Sequence, residues 1–140
     1  MNLILSIEDY QGYQPNNKHL EDALPMFTLI YGWALSKNLL ADTLVSEPYT
    51  TAFHKVECGK LTLKDFAIKY LDGKITKDMF NQPWIAEYVS DYIQTGTYSY
   101  DLNNYFKIDS VFELPDNWHQ YTNLVEDMSK SFDSVRANYN

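Results

Sequence analysis

Catalysis needs acids, bases or nucleophiles at spacings that let them meet, so those residues come first. Two carboxylate pairs have such a spacing: Glu87 and Asp91, four residues apart, and the adjacent Glu126 and Asp127. Two carboxylates in one enclosed site can divide the roles of acid and base. Here Glu87 and Asp91 fall off the apolar stripe of their segment, so a solvated face is expected for them. The three histidines, His19, His54 and His119, are never three or four residues from one another. A metal site built from one helix needs that spacing, so no metal ligand is assigned. Cys58 is the only cysteine, and it is expected to stand apart from all three histidines. It lies between Glu57 and Gly59 at an expected helix C-terminus, a setting that disfavours a thiolate nucleophile. Five glycines form neither a phosphate-binding loop nor a nucleophile elbow. These residues give no catalytic, cofactor-binding or metal-ligating assignment.

Tyrosine is the more informative residue. The stretch DYIQTGTYSYDLNNYF holds Tyr92, Tyr98, Tyr100 and Tyr105 beside Asp91 and Asp101, with no Lys or Arg before Lys107. Tyrosine offers apolar area with one polar tip and is enriched at binding surfaces. Glu87, Asp91, Tyr98, Tyr100 and Asp101 are therefore the candidate partner-binding residues, forming an acidic strip that a basic protein could meet. The competing reading is that these rings fill the core of an aromatic-rich domain.

Charge narrows the partners. The chain has 19 acidic and 11 basic residues, a net charge of −8. That balance disfavours direct contact with a nucleic-acid backbone, where Lys and Arg replace counterions. It also disfavours an anionic membrane surface. It suits a partner with a basic surface. A single cysteine needs no oxidising compartment. The apolar run Leu3 to Ile7 is too short for a signal peptide or a membrane span, so the cytoplasm is the expected location.

Placing this strip requires helices. The longest apolar stretch runs from about residue 20 to 38, where Leu20, Leu24, Phe27, Tyr31, Ala34 and Leu35 recur at helical spacing. Met26, Leu29, Ile30 and Trp33 fill the rest of its circumference, and a helix apolar on most sides is buried among others. Pro25 is tolerable only near its start, with Asp22 as an alternative N-cap. Asn38 suits the left-handed residue that ends a helix. A helix opening at Pro48 carries Tyr49, Ala52, Phe53 and Val56 and stops at Gly59. Thr62-Leu-Lys-Asp65 resembles a capping box and opens a helix bearing Leu63, Phe66, Ala67, Tyr70 and Leu71, closed by the turn Asp72-Gly73. After the brief segment TKDMF, Asn81 as N-cap and Pro83 open a helix with Trp84, Ile85, Tyr88, Val89, Tyr92 and Ile93 on one face. A short helix is expected within Tyr98 to Phe106. Pro115-Asp116 opens the last one, where Trp118, Tyr121, Val125, Met128, Phe132, Val135 and Tyr139 step alternately by three and four. No segment alternates with a period of two over a long run. The expected fold is all-α: a compact bundle of about five or six helices around the central helix, with residues 1–140 as one domain. Residues 1–19 form an N-terminal arm, strand or helix in its first part and a loop around Gly12, Pro15, Asn16 and Asn17.

The order of Trp33-Ala-Leu-Ser-Lys-Asn-Leu, Leu71-Asp-Gly-Lys74, Tyr88…Asp91-Tyr92, Tyr98…Asp101 and Asp116-Asn-Trp-His-Gln-Tyr121 resembles a family of uncharacterised bacterial single-domain proteins. The likeness covers residues 20–135. Its members carry His where this chain has Met26, and Gly where it has Asn38. The resemblance implies a helical fold and brings no activity. It also implies kinship with small acidic proteins that sit beside bacterial toxins.

Three functions compete on this basis. The first is a non-enzymatic binding domain of the immunity or inhibitor type, masking a basic toxin or nuclease surface. The second is a small helical enzyme or ligand-binding domain with an aromatic-lined pocket, drawing on Asp72, Tyr92 or His119. The third is a nucleic-acid mimic, for which 19 acids offset by 11 bases is a modest density.

Overall fold

The computed structural model describes residues 2–139. Its fold is all-α, with six α-helices and one two-stranded sheet among the described residues. The helices are α1 (Pro25–Ser36), α2 (Tyr49–Glu57), α3 (Leu63–Leu71), α4 (Pro83–Gln94), α5 (Thr97–Phe106) and α6 (Thr122–Val135). None is long and apolar enough to cross a membrane.

The central helix begins at Pro25, and residues 20–23 form a separate 3-10 turn before it. Asp22 caps that turn rather than α1: its Oδ2 accepts from the His19 backbone N–H at 2.8 Å. Every residue of α1 from Pro25 to Ala34 is buried. Three hydroxyls tie it to its surroundings. Thr28 Oγ1 donates to the Leu63 carbonyl and the Tyr31 hydroxyl to the Leu44 carbonyl, both at 2.7 Å. The Tyr98 hydroxyl donates to the Met26 carbonyl. Buried hydroxyls need such partners, since an unpaired one costs about 1–3 kcal/mol. Asn38 ends the helix region with φ +59°, as its type foretells.

Aromatic rings set the packing on both sides of α1. Tyr31 lies against Phe53 of α2 and Phe66 of α3, with centroids 5.3 and 4.9 Å away. Trp33 meets Tyr88 of α4 at 6.3 Å and Phe132 of α6 at 5.4 Å. The last helix and the Trp84–Ile93 stripe thus share this one residue of α1. Gly32 permits a close approach: a Cβ there would lie 2.3 Å from the Trp118 ring and 2.7 Å from Phe53.

Two helix starts depart from expectation. α6 begins at Thr122, after a 3-10 turn at Trp118–Gln120, not at Pro115-Asp116. Asp116 caps a different helix. Its Oδ1 accepts from the Leu63 N–H at 2.6 Å, beside Thr62, whose side chain accepts from Asp65 N at 3.0 Å. At α4 the N-cap is Gln82, not Asn81. The Asn81 amide instead donates to the Asn38 carbonyl at 2.8 Å, next to an isolated antiparallel bridge between Leu40 and Phe80.

The N-terminal arm opens with strand β1 (Leu3–Ser6), which pairs antiparallel with β2 (Lys74–Thr76). Ser6 faces Lys74, Leu5 faces Ile75 and Leu3 faces Thr76, with a bulge between Leu3 and Leu5. The strand Lys74–Thr76 is absent from the sequence reading because three residues are too few to show a period of two. Ile4, Leu5 and Ile75 bury their side chains in the same continuous core as α1.

Candidate functional site

The expected acidic strip lies on α4 and α5, and the fold sorts its members. Gly96, at φ +84°, turns the chain between the two helices and serves as N-cap of α5. Positive φ is inexpensive only for glycine. The turn sets α5 so that Tyr98 and Leu102 face the core. Tyr98 is 1% exposed. Its place among the surface residues is therefore corrected: apolar contacts on α5 recur at i and i+4, and Tyr98 stands on that inner row. Tyr100 is 68% exposed and belongs to the surface.

Asp91 and Asp101 come together in one groove of about 730 Å³ between α4, the start of α5 and the end of α6. Tyr88, Tyr92, Tyr139, Thr95, Thr97 and Ser134 are among its lining residues, and among the described residues no Lys, Arg or His lines it. Each carboxylate holds a tyrosine hydroxyl. Tyr92 donates to Asp101 Oδ2 at 2.7 Å, and Tyr139 donates to Asp91 Oδ2 at 2.9 Å. The rings form a wall: Tyr88 and Tyr92 are stacked at 6.1 Å with 12° between their planes. Tyr139 stands edge-on to Tyr88 at 5.6 Å. Stacked and edge-to-face pairs are the favoured aromatic geometries.

Electrostatics keeps these hydroxyls as donors. Burial pushes the Tyr92 hydroxyl far up, with further upward pressure from its hydrogen bond to the Asp101 carboxylate. Burial likewise pushes Tyr88 up to about 12, assisted by the neighbouring Tyr139 and Asp101. For Tyr139 the hydrogen bond to Asp91 is the main cause of an upward shift, followed by burial. The phenols thus stay protonated at neutral pH and act on the carboxylates as fixed donors.

Glu87 sits elsewhere. It is exposed and lines a neighbouring groove with Asn2, Lys77, Asp78 and Gln82, which Asp91 also borders. Asp91 therefore stands on the ridge between the two grooves. Tyr100 lines neither of them. Among the described residues, Glu87, Asp91 and Asp101 enter no ion pair, whereas Asp22, Asp72 and Asp133 each pair with a lysine.

Sequence reasoning missed Tyr139 as a site residue. Its position at the end of the three-four seam put it on the correct side of the last helix, but nothing local joins it to Asp91, 48 residues earlier. Tyr88 and Tyr92, four residues apart, were readable as one face of α4. Tyr92 lines this groove; Asp72 and His119, the other polar groups considered for a pocket, do not.

A second groove, of about 590 Å³, runs between α1, α2 and α6. Phe53, Trp118, Leu35 and Val125 give it apolar walls, and Lys37 and Asp133, paired at 2.8 Å, stand at its rim. On α2 the expectation that Cys58 stands apart from histidine fails. His54 is one helical turn before it, and Nε2 lies 3.6 Å from Sγ. Both side chains are exposed. Among the described residues no three His, Cys, Asp or Glu side chains form a group that could hold a metal ion.

No curated protein and no solved structure matches the chain. A family model described as a domain of unknown function, DUF7832, matches residues 8–131. That span includes α1 to α5, both carboxylates of the groove and most of α6, and the chain belongs to this family.

Proposed function

We propose that this protein is a small binding domain without enzymatic activity, of the immunity or inhibitor type, which covers a basic surface of a bacterial toxin or nuclease. The carrying observation is the groove at Asp91 and Asp101: aromatic walls and, among the described residues, two carboxylates outside any ion pair and no cation in the lining. Such a surface is complementary to a basic protein patch. The net charge of −8 would steer the encounter and raise the association rate at low salt. Tyrosine rings supply desolvated contact area of the kind that dominates interface energetics. The encounter is assigned to the cytoplasm, where a single exposed cysteine is compatible with a reducing environment.

The test is binding between the purified chain and the purified product of the neighbouring gene, measured by calorimetry at low ionic strength. The proposal expects a complex that weakens with added salt and with Asp91→Asn or Asp101→Asn. No binding at low salt would refute it.

The groove between α1, α2 and α6 supports a second reading, a ligand-binding domain, because Phe53 and Trp118 wall an apolar recess. A small aromatic ligand there would quench Trp118 fluorescence and raise the melting temperature. The acidic-groove variants would leave both effects unchanged.

A further inference from the structure

We propose that the groove between α4, α5 and α6 receives an arginine side chain of the basic partner, with its guanidinium against the Tyr88–Tyr92 wall and bridged by Asp91 and Asp101. This rests on the protein-binding reading above and specifies what the site recognises.

Three observations select arginine over lysine. First, the groove offers an aromatic face: the half-buried Tyr92 ring lines it, backed by the near-parallel ring of Tyr88. A planar guanidinium stacks on such a face, whereas an ammonium is a compact, strongly hydrated point charge. Second, the carboxylates are already oriented. Tyr92 holds Asp101 through Oδ2 and Tyr139 holds Asp91 through Oδ2. Among the described residues, Oδ1 of each has no hydrogen-bond partner, so both carboxylates lining the groove keep an acceptor for the N–H groups of a fork-shaped donor. Third, the same fold already packs this chemistry once. The Arg136 guanidinium lies 5.4 Å from the Trp84 ring centre and 5.9 Å from that of Phe132. Arg136 is outside the acidic groove, whose lining, among the described residues, carries no cation to compete with an incoming one. The hydroxyls of Thr95, Thr97 and Ser134 at the rim suit the polar backbone of the segment that delivers the side chain.

The experiment is an NMR titration of the full-length, isotope-labelled chain with N-acetyl-arginine amide and, separately, N-acetyl-lysine amide. The proposal expects saturable shifts at the amides of Thr95, Thr97 and Ser134 with the arginine compound, and clearly weaker binding of the lysine compound. Asp91→Asn and Asp101→Asn should each weaken arginine binding about tenfold, the worth of one charge-assisted hydrogen bond. Asp91 is exposed, so its variant keeps the test valid even if Asp101→Asn disturbs α5. Equal affinity for the two compounds, absence of saturable shifts, or shifts indifferent to Asp91→Asn would each overturn the assignment. If the arginine compound fails while the neighbouring gene product still binds in an Asp91-dependent way, only the arginine assignment falls. If the gene product also ignores Asp91 and Asp101, the protein-binding reading falls with it.

Discussion

Tyr98 and Tyr100 are two residues apart in one acidic, tyrosine-rich stretch, yet the fold gives them opposite tasks. Tyr98→Phe removes only the hydroxyl that donates to the Met26 carbonyl. That carbonyl lies in the first turn of α1 and keeps its intrahelical partner, so the loss stays near the ordinary worth of one hydrogen bond, about 1 kcal/mol. Tyr98→Ala also empties a fully buried ring site and is expected to cost about 3–5 kcal/mol, as for other buried aromatics. Tyr100→Ala, on the surface, should stay within about 0.5 kcal/mol. Thermal unfolding reads these differences directly. In a domain near this size 1 kcal/mol moves the melting temperature by about 2–4 °C. Tyr98→Phe should thus lower it by roughly 3 °C and Tyr98→Ala by roughly 10 °C or more, with Tyr100→Ala almost unchanged. Urea midpoints at unchanged slope would confirm that stability, not compactness, has moved. Equal effects of alanine at 98 and 100 would refute the inward placement of Tyr98 and the whole orientation of α5.

Three further outcomes follow from the packing. Gly32→Ala would drive a methyl group into the Trp118 and Phe53 rings and should cost about 1–3 kcal/mol in urea unfolding; a neutral result would mean that Trp118 does not lie over α1. Asp116→Ala uncaps α3 at Leu63 and should cost about 1 kcal/mol, with amide exchange accelerated in the first turn of α3 and not of α6. Burial raises the hydroxyls of Tyr31, Tyr88, Tyr92, Tyr98 and Tyr121, the first two to about 12. The unfolded chain releases such protons near pH 10, so their contribution is complete below about pH 10 and is lost as pH rises through 12. Phenolate absorbance should therefore rise together with loss of helix above about pH 11; ionisation of these tyrosines in a chain that stays helical would contradict their burial.

Much of the fold could be read from periodicity because helices dominate it. Leu24, Phe27 and Tyr31, then Ile85, Tyr88 and Ile93, then Met128 and Phe132 announce faces that the structure buries. Asn38 and the Asp72-Gly73 turn were legible from backbone chemistry alone. What escaped is what joins distant segments. Asp116 looked like a local helix start and instead caps a helix more than 50 residues earlier. Asn81 looked like an N-cap and instead holds Asn38. Tyr98 escaped for a different reason: a ten-residue helix with one short inner row has too few turns to separate inner from outer rings. The site was half legible. Asp91 and Asp101 stood out by charge, but the third wall comes from Tyr139, and no local pattern links it to α4. The neighbourhood of His54 and Cys58 needed only a count of one helical turn.

The central claim is that the Asp91–Asp101 groove is where a basic protein docks. Site-specific photo-crosslinking in cells tests it most directly. A photoreactive phenylalanine replacing Ser134, at the groove, should capture the neighbouring gene product, and capture should disappear with Asp91→Asn and Asp101→Asn combined. The same probe replacing the exposed Lys60 on the loop after α2 should capture nothing. Capture at Lys60 but not at Ser134, or capture at Ser134 that ignores both carboxylates, would contradict the account.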